Sequence, residues 1–475
     1  MKSKHFYNLY LCGNKGIYLM VIRIAIAGIS LWLSGCDSFS ETDMPVSELN
    51  ASEVFEQKNT ATAAMTDIYA QIRDNGLLTG KTTGMSRELG LYADELTWYG
   101  SNALPSVHFY NNTLLPSMQG ISSWWNSSYT PIYAANAVLE GVQGSKGLLK
   151  KDKDQLTGEA LLVRGLLHFY LLQLWGAIPY VTTTDYHQNT TVGRMTADGV
   201  YAHIIEDLTT AETLLPADYE TEGRVRPNSF VATALLARVY LYHGQWAEAA
   251  NSASAVLNNT EVYVWPNTID GVFLKGSTET IWQLFPRTAT RNTDEGATFI
   301  FSSGPPPLVA LSTGLMSAFE SGDLRKSKWI RAISKGTATW YHAYKYKRSA
   351  TSTPSQEYPI VLRLAEQYLI RAEARAQQGD LIGAKEDLNK IRNRAGLGDT
   401  AAVTKTDILA AVLRECRIEF FTEYGHRFFD LKRSGQLDAA LSGVKPDWNT
   451  TDSFLPIPET ELNLNPNLKP QNPGY

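Results

Sequence analysis

Cysteine is scarce in this sequence, which has three cysteines among 475 residues. Cys12 and Cys36 lie close to the N-terminus, and Cys416 stands alone in the stretch "LRECRIEFF". A leader that ends before Cys36 would leave Cys416 without a partner, so we expect no disulfide within the mature chain. We interpret Cys416 as a small core residue rather than a nucleophile.

A strong excess of charge and a membrane-spanning segment are also missing. The formal net charge is −5, so the charge balance gives no indication of a nucleic-acid partner. The apolar run at residues 24–33 is far shorter than the roughly 20 residues that cross a bilayer as a helix. A second apolar stretch, "EALLVRGLLHFYLLQLWG", is interrupted by Arg164 and His168. We expect it to be a buried helix in which Arg164 meets a buried carboxylate.

Motifs that carry catalysis or bind metal are absent as well. The eight histidines show no HxxxH or HxH spacing, and no GxSxG, P-loop or GxGxxG motif occurs. Asp94 and Glu95 are adjacent, but neighbouring side chains point in different directions and do not form the carboxylate pair of a glycosidase. The stretch "DKDQLTGEA" has Thr157 where a calcium loop needs glycine, so we interpret it as a solvated charge run near a helix start. The sequence therefore predicts a protein that is not an enzyme and that uses no metal or cofactor.

The N-terminal segment has the features of a bacterial lipoprotein leader. Basic residues precede the short apolar core, which ends in the small-residue exit "LSGC" at Cys36. We predict that residues 1–35 are a signal peptide, that Cys36 carries the lipid, and that the polar residues 36–50 form a flexible tether. An ordinary signal peptide followed by a chance cysteine is the alternative.

Helical patterns dominate the chain after the tether. Residues 53–74 are predicted to form one helix, and the spacing of apolar residues predicts further helices at 159–175 and 197–215. Residues 261–355 contain short apolar runs between serine, threonine and proline, which predicts strands and loops. The closing segment "LPIPETELNLNPNLKPQNPGY" carries five prolines. We expect it to be an extended tail over the surface, with one helical turn at "PETEL".

A repeat signal is more specific than the helix pattern. Around Gly244, small and aromatic residues occupy the offsets of a tetratricopeptide unit: Ala237, Tyr240, Trp246 and Ala249. A second copy surrounds Gly379, with Ala372 and Ala384 at the same offsets. The small residues allow two helices to approach closely. Because the copies are far apart in the chain, we expect an insertion between them rather than an uninterrupted array.

The densest charged motif is "RECRIEFFTEYGHRFFDLKR", in which acidic and basic residues recur at helical spacing. We interpret it as an ion-paired helix that packs its phenylalanines inward. An anion-binding site is the alternative.

Aromatic residues are abundant, with 11 tryptophans and 24 tyrosines. Two adjacent pairs lie in stretches that we expect to be loops: Trp98 with Tyr99, and Trp340 with Tyr341. Exposed rings on loops suit sugars, because the C–H faces of a sugar stack on aromatic planes. Asn102 and Arg287 each lie a few residues from an aromatic ring and are the predicted hydrogen-bonding partners of sugar hydroxyls. The alternative is that these rings pack the loops onto the helical body.

Several stretches together resemble the RagB/SusD family of outer-membrane nutrient-binding lipoproteins. They occur in the family order: "GEALLVRGLLHFYLLQLWGAIPY", "FVATALLARVYLYHGQWAEAA", "VLRLAEQYLIRAEARA", "LNKIRNRAGL", "ECRIEFFTEYGHRFFDLKR" and "LPIPETELNLNPNL". The resemblance covers essentially the whole mature chain. One departure is mild, since the usual acidic-Gly-x-Arg stretch has an extra residue between Glu423 and Gly425.

The resemblance implies a mainly α-helical body of about four tetratricopeptide-like helix pairs in a right-handed superhelical scaffold. It also implies an irregular insertion at 261–355 that carries the ligand face. An N-terminal SusD-like part would span 51–260 and a C-terminal RagB/SusD part 261–475, together forming one compact unit.

The same resemblance implies a function. The expected ligand is an oligosaccharide or polysaccharide, and the expected partner is a SusC-type TonB-dependent transporter on which the protein would act as a lid. The expected location is the outer membrane, held by lipid and facing the cell exterior. Oligopeptide capture and a scaffold that binds proteins through helix grooves remain open as alternatives.

The lipid on Cys36 is the membrane anchor that this sequence offers, so its removal has a definite expected result. Cys36→Ala should leave a folded protein that fractionates with soluble material instead of the membrane. The measurement is fractionation of cells that lack the transporter, with the unsubstituted chain as the control. If the variant stays with the membrane in those cells, the anchor assignment is wrong.

Overall fold

Helices form most of residues 51–475, the part of the chain that the structure, a computed structural model, describes. Among these residues the α-helices are, in chain order, α1 (Ala51–Val54), α2 (Lys58–Asn75), α3 (Met85–Tyr92), α4 (Ser106–Asn111), α5 (Gln119–Gly144), α6 (Lys150–Trp175), α7 (Tyr186–Asn189), α8 (Ala197–Leu214), α9 (Ser229–His243), α10 (Trp246–Leu257), α11 (Asp294–Phe299), α12 (Thr313–Ala318), α13 (Leu324–Lys328), α14 (Leu364–Gln378), α15 (Leu381–Arg394), α16 (Lys405–Glu419), α17 (His426–Arg433), α18 (Leu437–Leu441) and α19 (Glu459–Leu464). Short 3-10 turns lie at Glu222–Arg224, Thr450–Ser453 and Pro466–Leu468. The mainly helical fold predicted from the sequence is confirmed.

The predicted signal peptide, the lipid site at Cys36 and the tether lie outside the described residues. Within residues 51–475, no helix is both long enough and apolar enough to cross a membrane.

The long helices pack one on the next in a row that follows chain order. Helix α2 packs on α5, α5 on α6, α6 on α8, α8 on α9, α9 on α10, α10 on α14, and α14 on α15. The small residues of both predicted repeats are completely buried at these contacts: Ala237, Ala249, Ala372 and Ala384. The two repeats are distant in the chain but adjacent in the row, because α14 packs directly on α10. This is the tetratricopeptide-like arrangement that the spacing predicts.

Local sequence sets where these helices begin and end. The Asn228 side chain accepts a hydrogen bond from the backbone N–H of Val231 at the start of α9. Thr404 begins α16 with a capping box. Gly244 and Gly379 end the first helix of each repeat with φ of 77° and 91°, a left-handed conformation that costs glycine little.

Two predicted helix boundaries are wrong. The expected helix at 53–74 breaks after α1, because Phe55 turns inward and packs against Gly141 of α5. Helix α6 begins at Lys150, so the stretch "DKDQLTGEA" lies inside a helix instead of preceding one. Asp152 in that stretch is buried, and its carboxylate lies 2.8 Å from the Lys58 ammonium. An ion pair with a distant part of the chain thus replaces the solvated charge run.

The strands form three small antiparallel sheets among the described residues. They are β1 (Leu96–Trp98), β2 (Thr280–Gln283), β3 (Val309–Leu311), β4 (Ile330–Lys335), β5 (Ala338–Ala343) and β6 (Ile360–Arg363). Strand β1 pairs with β3, β2 with β6, and β4 with β5. Strand β3 also lies beside β5. The region 261–355 therefore contains the short strands that were predicted, together with the short helices α11, α12 and α13.

The start of the C-terminal segment packs into the body, and the rest of it runs along the surface. Leu455 and Ile457 are completely buried. The indole N–H of Trp175 donates to the carbonyl of Pro456 at 2.8 Å, and the Asn472 amide donates to the carbonyl of Trp175 at 2.9 Å. The expected surface tail is therefore correct only in part: residues 455–458 cover the end of α6, whereas most of residues 459–475 are exposed. The predicted helical turn at "PETEL" is α19.

The charged motif near residue 420 forms α16 and α17 rather than a single helix. The chain turns between them, where Thr422, Tyr424 and Gly425 have positive φ. The predicted inward packing is confirmed, since four phenylalanines of the motif are buried: Phe420, Phe421, Phe428 and Phe429. Arg164 also meets the buried carboxylate that was expected, at 2.6 Å from Asp207. Cys416 is buried among apolar residues.

Glu419, at the end of α16, is the centre of a buried charge network. Its carboxylate lies 2.6 Å from Arg363 at the end of β6 and 2.6 Å from Arg394 at the end of α15. It lies 3.0 Å from Arg325 in α13. These three guanidinium groups hold the pKa of Glu419 well below its usual range despite complete burial. The network joins the inserted region to the last helices of the row.

Loss of the Glu419 charge should destabilise the fold strongly. Glu419→Gln leaves three buried guanidinium groups short of one negative charge, and breaking such a network costs about 3–5 kcal/mol of unfolding free energy. The measurement is denaturant unfolding of the chain that starts at Asp37.

Glu320→Gln is the matched control, because Glu320 also pairs with an arginine, Arg392, at 2.7 Å, but its side chain is 56% exposed. An exposed pair of this kind contributes less than about 1 kcal/mol. Equal losses in the two variants would contradict the central role of Glu419.

Candidate ligand-binding site

Trp98 and Tyr99 are positioned by the pairing of β1 with β3. Trp98 lies opposite Val309, and the Tyr99 backbone N–H donates to the carbonyl of Leu308 at 2.7 Å. The Trp98 ring is partly buried and packs against Gly100. Its indole N–H is buried with no hydrogen-bond partner among the described residues. Tyr99 follows the strand and is 42% exposed.

Trp340 and Tyr341 lie in strand β5, not in the loop that was predicted from the sequence. Side chains alternate along a strand, so these two rings point to opposite faces of the hairpin. Tyr341 packs against the main core. The Trp340 ring lies directly over Gly304, where an added Cβ would come within 2.1 Å of the ring. Only glycine at position 304 allows this contact.

The segment 304–309 brings the two aromatic groups together. Trp340 lies on its first residue, Gly304, while Tyr99 binds Leu308 near its other end. Both aromatic pairs were predicted from the sequence to bind a sugar. The structure places Tyr99, Trp98 and Trp340 on one short piece of chain, and it turns Tyr341 away from Trp340.

A cavity of about 390 Å³ opens beside this segment. Pro307 and Leu308 line one side, and Lys81, Arg291 and Asp294 contribute charged groups. These charges are already engaged, because the Lys81 ammonium donates to the Asp74 carbonyl at 2.7 Å. Arg291 likewise pairs with Asp294. The volume lies in the range typical of small-molecule sites.

Asn102 and Arg287 differ in their relation to the aromatic rings. Asn102 lies in an exposed turn three residues after Tyr99, and its side-chain amide makes no hydrogen bond to any described residue. Arg287 is 59% exposed, with its guanidinium 3.7 Å from the Asp74 carboxylate. It lines a smaller neighbouring cavity that shares Arg291 and Asp294 with the larger one. Arg287 is therefore at the far edge of the same surface.

The residues that build this cavity were not predicted from the sequence. Lys81, Arg291 and Asp294 lie in stretches that carry no periodic signal. One signal was available at Gly304, since the run "GPPP" marks a rigid turn, but nothing in it indicates which ring covers the glycine.

Asp94 and Glu95 are held in structural roles. The Asp94 carboxylate binds Arg427 and Arg417, each at 2.7 Å. Glu95 is buried and accepts a hydrogen bond from the Thr422 N–H at 3.2 Å, and burial raises its pKa to about 7. Both side chains hold the turn between α16 and α17. In residues 51–475, no group of three or more histidine, cysteine, aspartate or glutamate residues is arranged to hold a metal ion.

The fold and the site together define a tetratricopeptide-like helical protein that carries an aromatic surface on its inserted region. Two family models match the chain: SusD-like_3, described as "Starch-binding associating with outer membrane", at residues 52–241, and SusD_RagB, described as "SusD family", at residues 286–475. The chain belongs to the SusD/RagB family.

Individual relatives agree with this assignment. A SusD-like protein, P2, from Formosa agariphila is 25% identical over 514 residues, covering 95% of this chain and 99% of that protein. A SusD superfamily protein from Bacteroides vulgatus has a similar structure, with a TM-score of 0.77 and 21% identity over 88% of this chain and 99% of that one. A laminarin-binding SusD-like protein matches with a TM-score of 0.74 and 23% identity, again over 88% of this chain and 99% of that one.

A buried carboxyl beside the cavity makes stability depend on pH. Glu295 in α11 is buried against Gly80, one of its oxygens has no partner among the described residues, and burial raises its pKa to about 8. The ordinary pKa is about 4.3, so between about pH 4.3 and 8 the unfolded chain gives up a proton that the folded chain keeps. Glu295 therefore contributes stability that is complete at low pH and lost as the pH rises to about 8.

Glu295→Gln should flatten this part of the pH profile. The neutral amide has no proton to lose, so the variant should gain stability relative to the parent chain at about pH 8 but not at about pH 4. The measurement is the melting temperature across this range, with the exposed Glu320→Gln as control. A parallel shift of the whole profile, with unchanged slope, would show that Glu295 does not titrate as described.

Proposed function

We propose that the protein is a cell-surface lipoprotein that captures an oligosaccharide or polysaccharide and delivers it to a SusC-type TonB-dependent transporter, on which it acts as a lid. The observation that carries this proposal is the position of Tyr99 and Trp340. Strand β5 holds the Trp340 ring over Gly304, and the Tyr99 backbone, directly after β1, hydrogen-bonds to Leu308, which lines a cavity of about 390 Å³. Family membership supports the role, and the starch-binding family model and the laminarin-binding relative support the ligand class.

The chemistry of the surface favours a neutral sugar. Aromatic faces stack on the C–H surfaces of sugars. Asn102 offers an amide that makes no hydrogen bond to any described residue and can bind hydroxyls. The nearby charges of Lys81, Arg291 and Asp294 already have partners, so they offer little to the charged termini of a peptide. This argues for a glycan over an oligopeptide.

We also propose that the protein binds its glycan without cleaving it. Glycoside hydrolysis needs two carboxyl groups that flank the scissile bond. Asp94 is bound by two arginines, and Glu95 is buried against the turn that follows α16. Prolonged incubation should therefore yield no shorter product.

The site is tested by Tyr99→Ala and Trp340→Ala in the chain that starts at Asp37. A ring stacked on a sugar contributes about 1–2 kcal/mol, so each variant should lose roughly five- to thirty-fold in affinity. The measurement is a glycan array followed by calorimetry on the glycans that bind. Melting temperatures should change little for Tyr99→Ala, because that ring is 42% exposed.

Tyr341→Ala is the matched control on the same hairpin. Its ring packs against the core on the other face, so the variant should melt earlier and bind normally. If Tyr99→Ala and Trp340→Ala bind as the parent does, the proposed ligand face is wrong. If the parent chain binds oligopeptides and no glycan, the ligand class is wrong.

A further inference from the structure

A second cavity, of about 380 Å³, lies between helix α5, the segment 179–192 and helix α19. Its volume is close to that of the cavity beside β3, and the two share no lining residue. Neither the charged motifs nor the aromatic pairs singled out in the sequence lie in it.

Three aromatic residues of α5 face this second cavity at four-residue spacing: Trp125, Tyr129 and Tyr133. Four residues advance a helix by about 6 Å, so these rings follow one another along a single helix face. Trp125 is buried at one end, Tyr129 is partly buried, and Tyr133 is 50% exposed at the other end. Tyr186, across the cavity in α7, is 65% exposed. The result is a line of rings with an open end.

Hydrogen bonds hold the walls of this cavity in place. The Tyr129 hydroxyl donates to the Pro179 carbonyl at 2.9 Å, which fixes the start of the segment 179–192 to α5. The Asn465 amide donates to the Val192 carbonyl at 2.8 Å, which fixes the end of that segment to the C-terminal region. Trp125 is held in place by an edge-to-face contact with Trp175, with 5.3 Å between the ring centroids. A preformed site of this kind binds without the cost of ordering its walls.

Polar groups in the cavity lack partners. The Glu461 carboxylate of α19 makes no hydrogen bond or ion pair with any described side chain, and partial burial raises its pKa. The side chain of Asn126 and the hydroxyls of Tyr133 and Tyr186 also make no hydrogen bond to the described residues. Carboxylate, amide and phenol groups are the acceptors and donors that bind hydroxyls.

The charge of the cavity indicates whether it binds neutral or acidic saccharides. No lysine or arginine is among the lining residues that the structure describes, and Glu461 is the acidic one. A carboxylate without a basic neighbour repels uronates and sulfated sugars, whereas it accepts hydrogen bonds from neutral hydroxyls.

We infer that this cavity is a second saccharide-binding site, which takes a neutral stretch of a glycan chain along the rings of Tyr129, Tyr133 and Tyr186, with the buried Trp125 at its closed end. The inference rests on the proposed function for the kind of ligand, but it depends on different residues. Two sites on one molecule bind a polysaccharide together, so the second contact becomes intramolecular. The protein then retains polymers far more strongly than short oligosaccharides.

The test uses Tyr133→Ala with Tyr186→Ala in the chain that starts at Asp37. Both side chains are exposed, so the melting temperature should not change. The probes are maltohexaose and laminarihexaose, the polymers soluble starch and laminarin, and hexagalacturonate as the acidic probe. For the neutral hexasaccharide that binds, calorimetric stoichiometry should fall from two to one, and apparent affinity for its polymer should fall on the order of a hundred-fold.

Two further variants separate the contributions of the rings and the carboxylate. Tyr133→Phe with Tyr186→Phe keeps the rings and should retain the stoichiometry of two. Glu461→Gln should weaken the second site without changing the fold. The surface control is Ile382→Ala on α15. Ile382 is 77% exposed and lines neither cavity.

The outcomes distinguish this inference from the proposed function. If Tyr99→Ala with Trp340→Ala abolishes all binding and Tyr133→Ala with Tyr186→Ala changes nothing, the second site is wrong and the first stands. If Tyr133→Ala with Tyr186→Ala abolishes all binding and Tyr99→Ala with Trp340→Ala changes nothing, the second site is supported and the first is wrong. Hexagalacturonate binding that requires Tyr133 and Tyr186 contradicts the neutral ligand class. A parent chain that binds none of these saccharides overturns the inference.

Discussion

A carboxylate buried among three guanidinium groups is the interaction on which the rest of this structure depends. Burial alone would favour the neutral form of Glu419, but Arg325, Arg363 and Arg394 reverse that preference. Each arginine comes from a different segment, so these segments must meet before the charge is compensated. A buried network of this kind contributes less to net stability than to the selection of one arrangement over others. Here it selects the position of the inserted region against the helical row.

The geometry of the proposed ligand face depends on the position of the inserted region against the helical row. Arg325 lies in α13, the helix before β4, and the partner strand β5 carries Trp340. Arg363 ends β6 next to the helical row. Strand β3 lies between β1 and β5 and brings Tyr99 and Trp340 onto one segment. Rings at such positions are held by strands that are themselves fixed to a rigid body, which is how binding residues on irregular segments keep a defined geometry.

The sequence predicted the elements that depend on local pattern and missed those that depend on distant contacts. The repeat residues Ala237 and Ala372 are buried as their offsets indicate, because helix packing follows from spacing along one helix. Which side chains surround Glu419 was beyond prediction, since its three partners are brought close only by the fold. The same limit applies to the site. Its aromatic residues were recognised in the sequence, but the strand β5, in which alternating side chains place Trp340 and Tyr341 on opposite faces, was not. The line of rings on α5 corresponds to the stretch "WNSSYTPIY". No local feature of that stretch distinguishes these exposed or partly exposed rings from buried core residues.

The anchoring of the C-terminal segment on Trp175 bears on how the chain reaches its final state. Pro456 and Asn472 bind the end of α6, so the last part of the polypeptide completes the core around a helix made much earlier. A chain that emerges with its N-terminus first cannot close this contact until residues 456–472 have emerged. Until then the end of α6 lacks its apolar cover, which delays the fully packed state. The order of packing is thereby tied to the emergence of residues 456–472, and a polypeptide cut short before them leaves the end of α6 without its apolar cover.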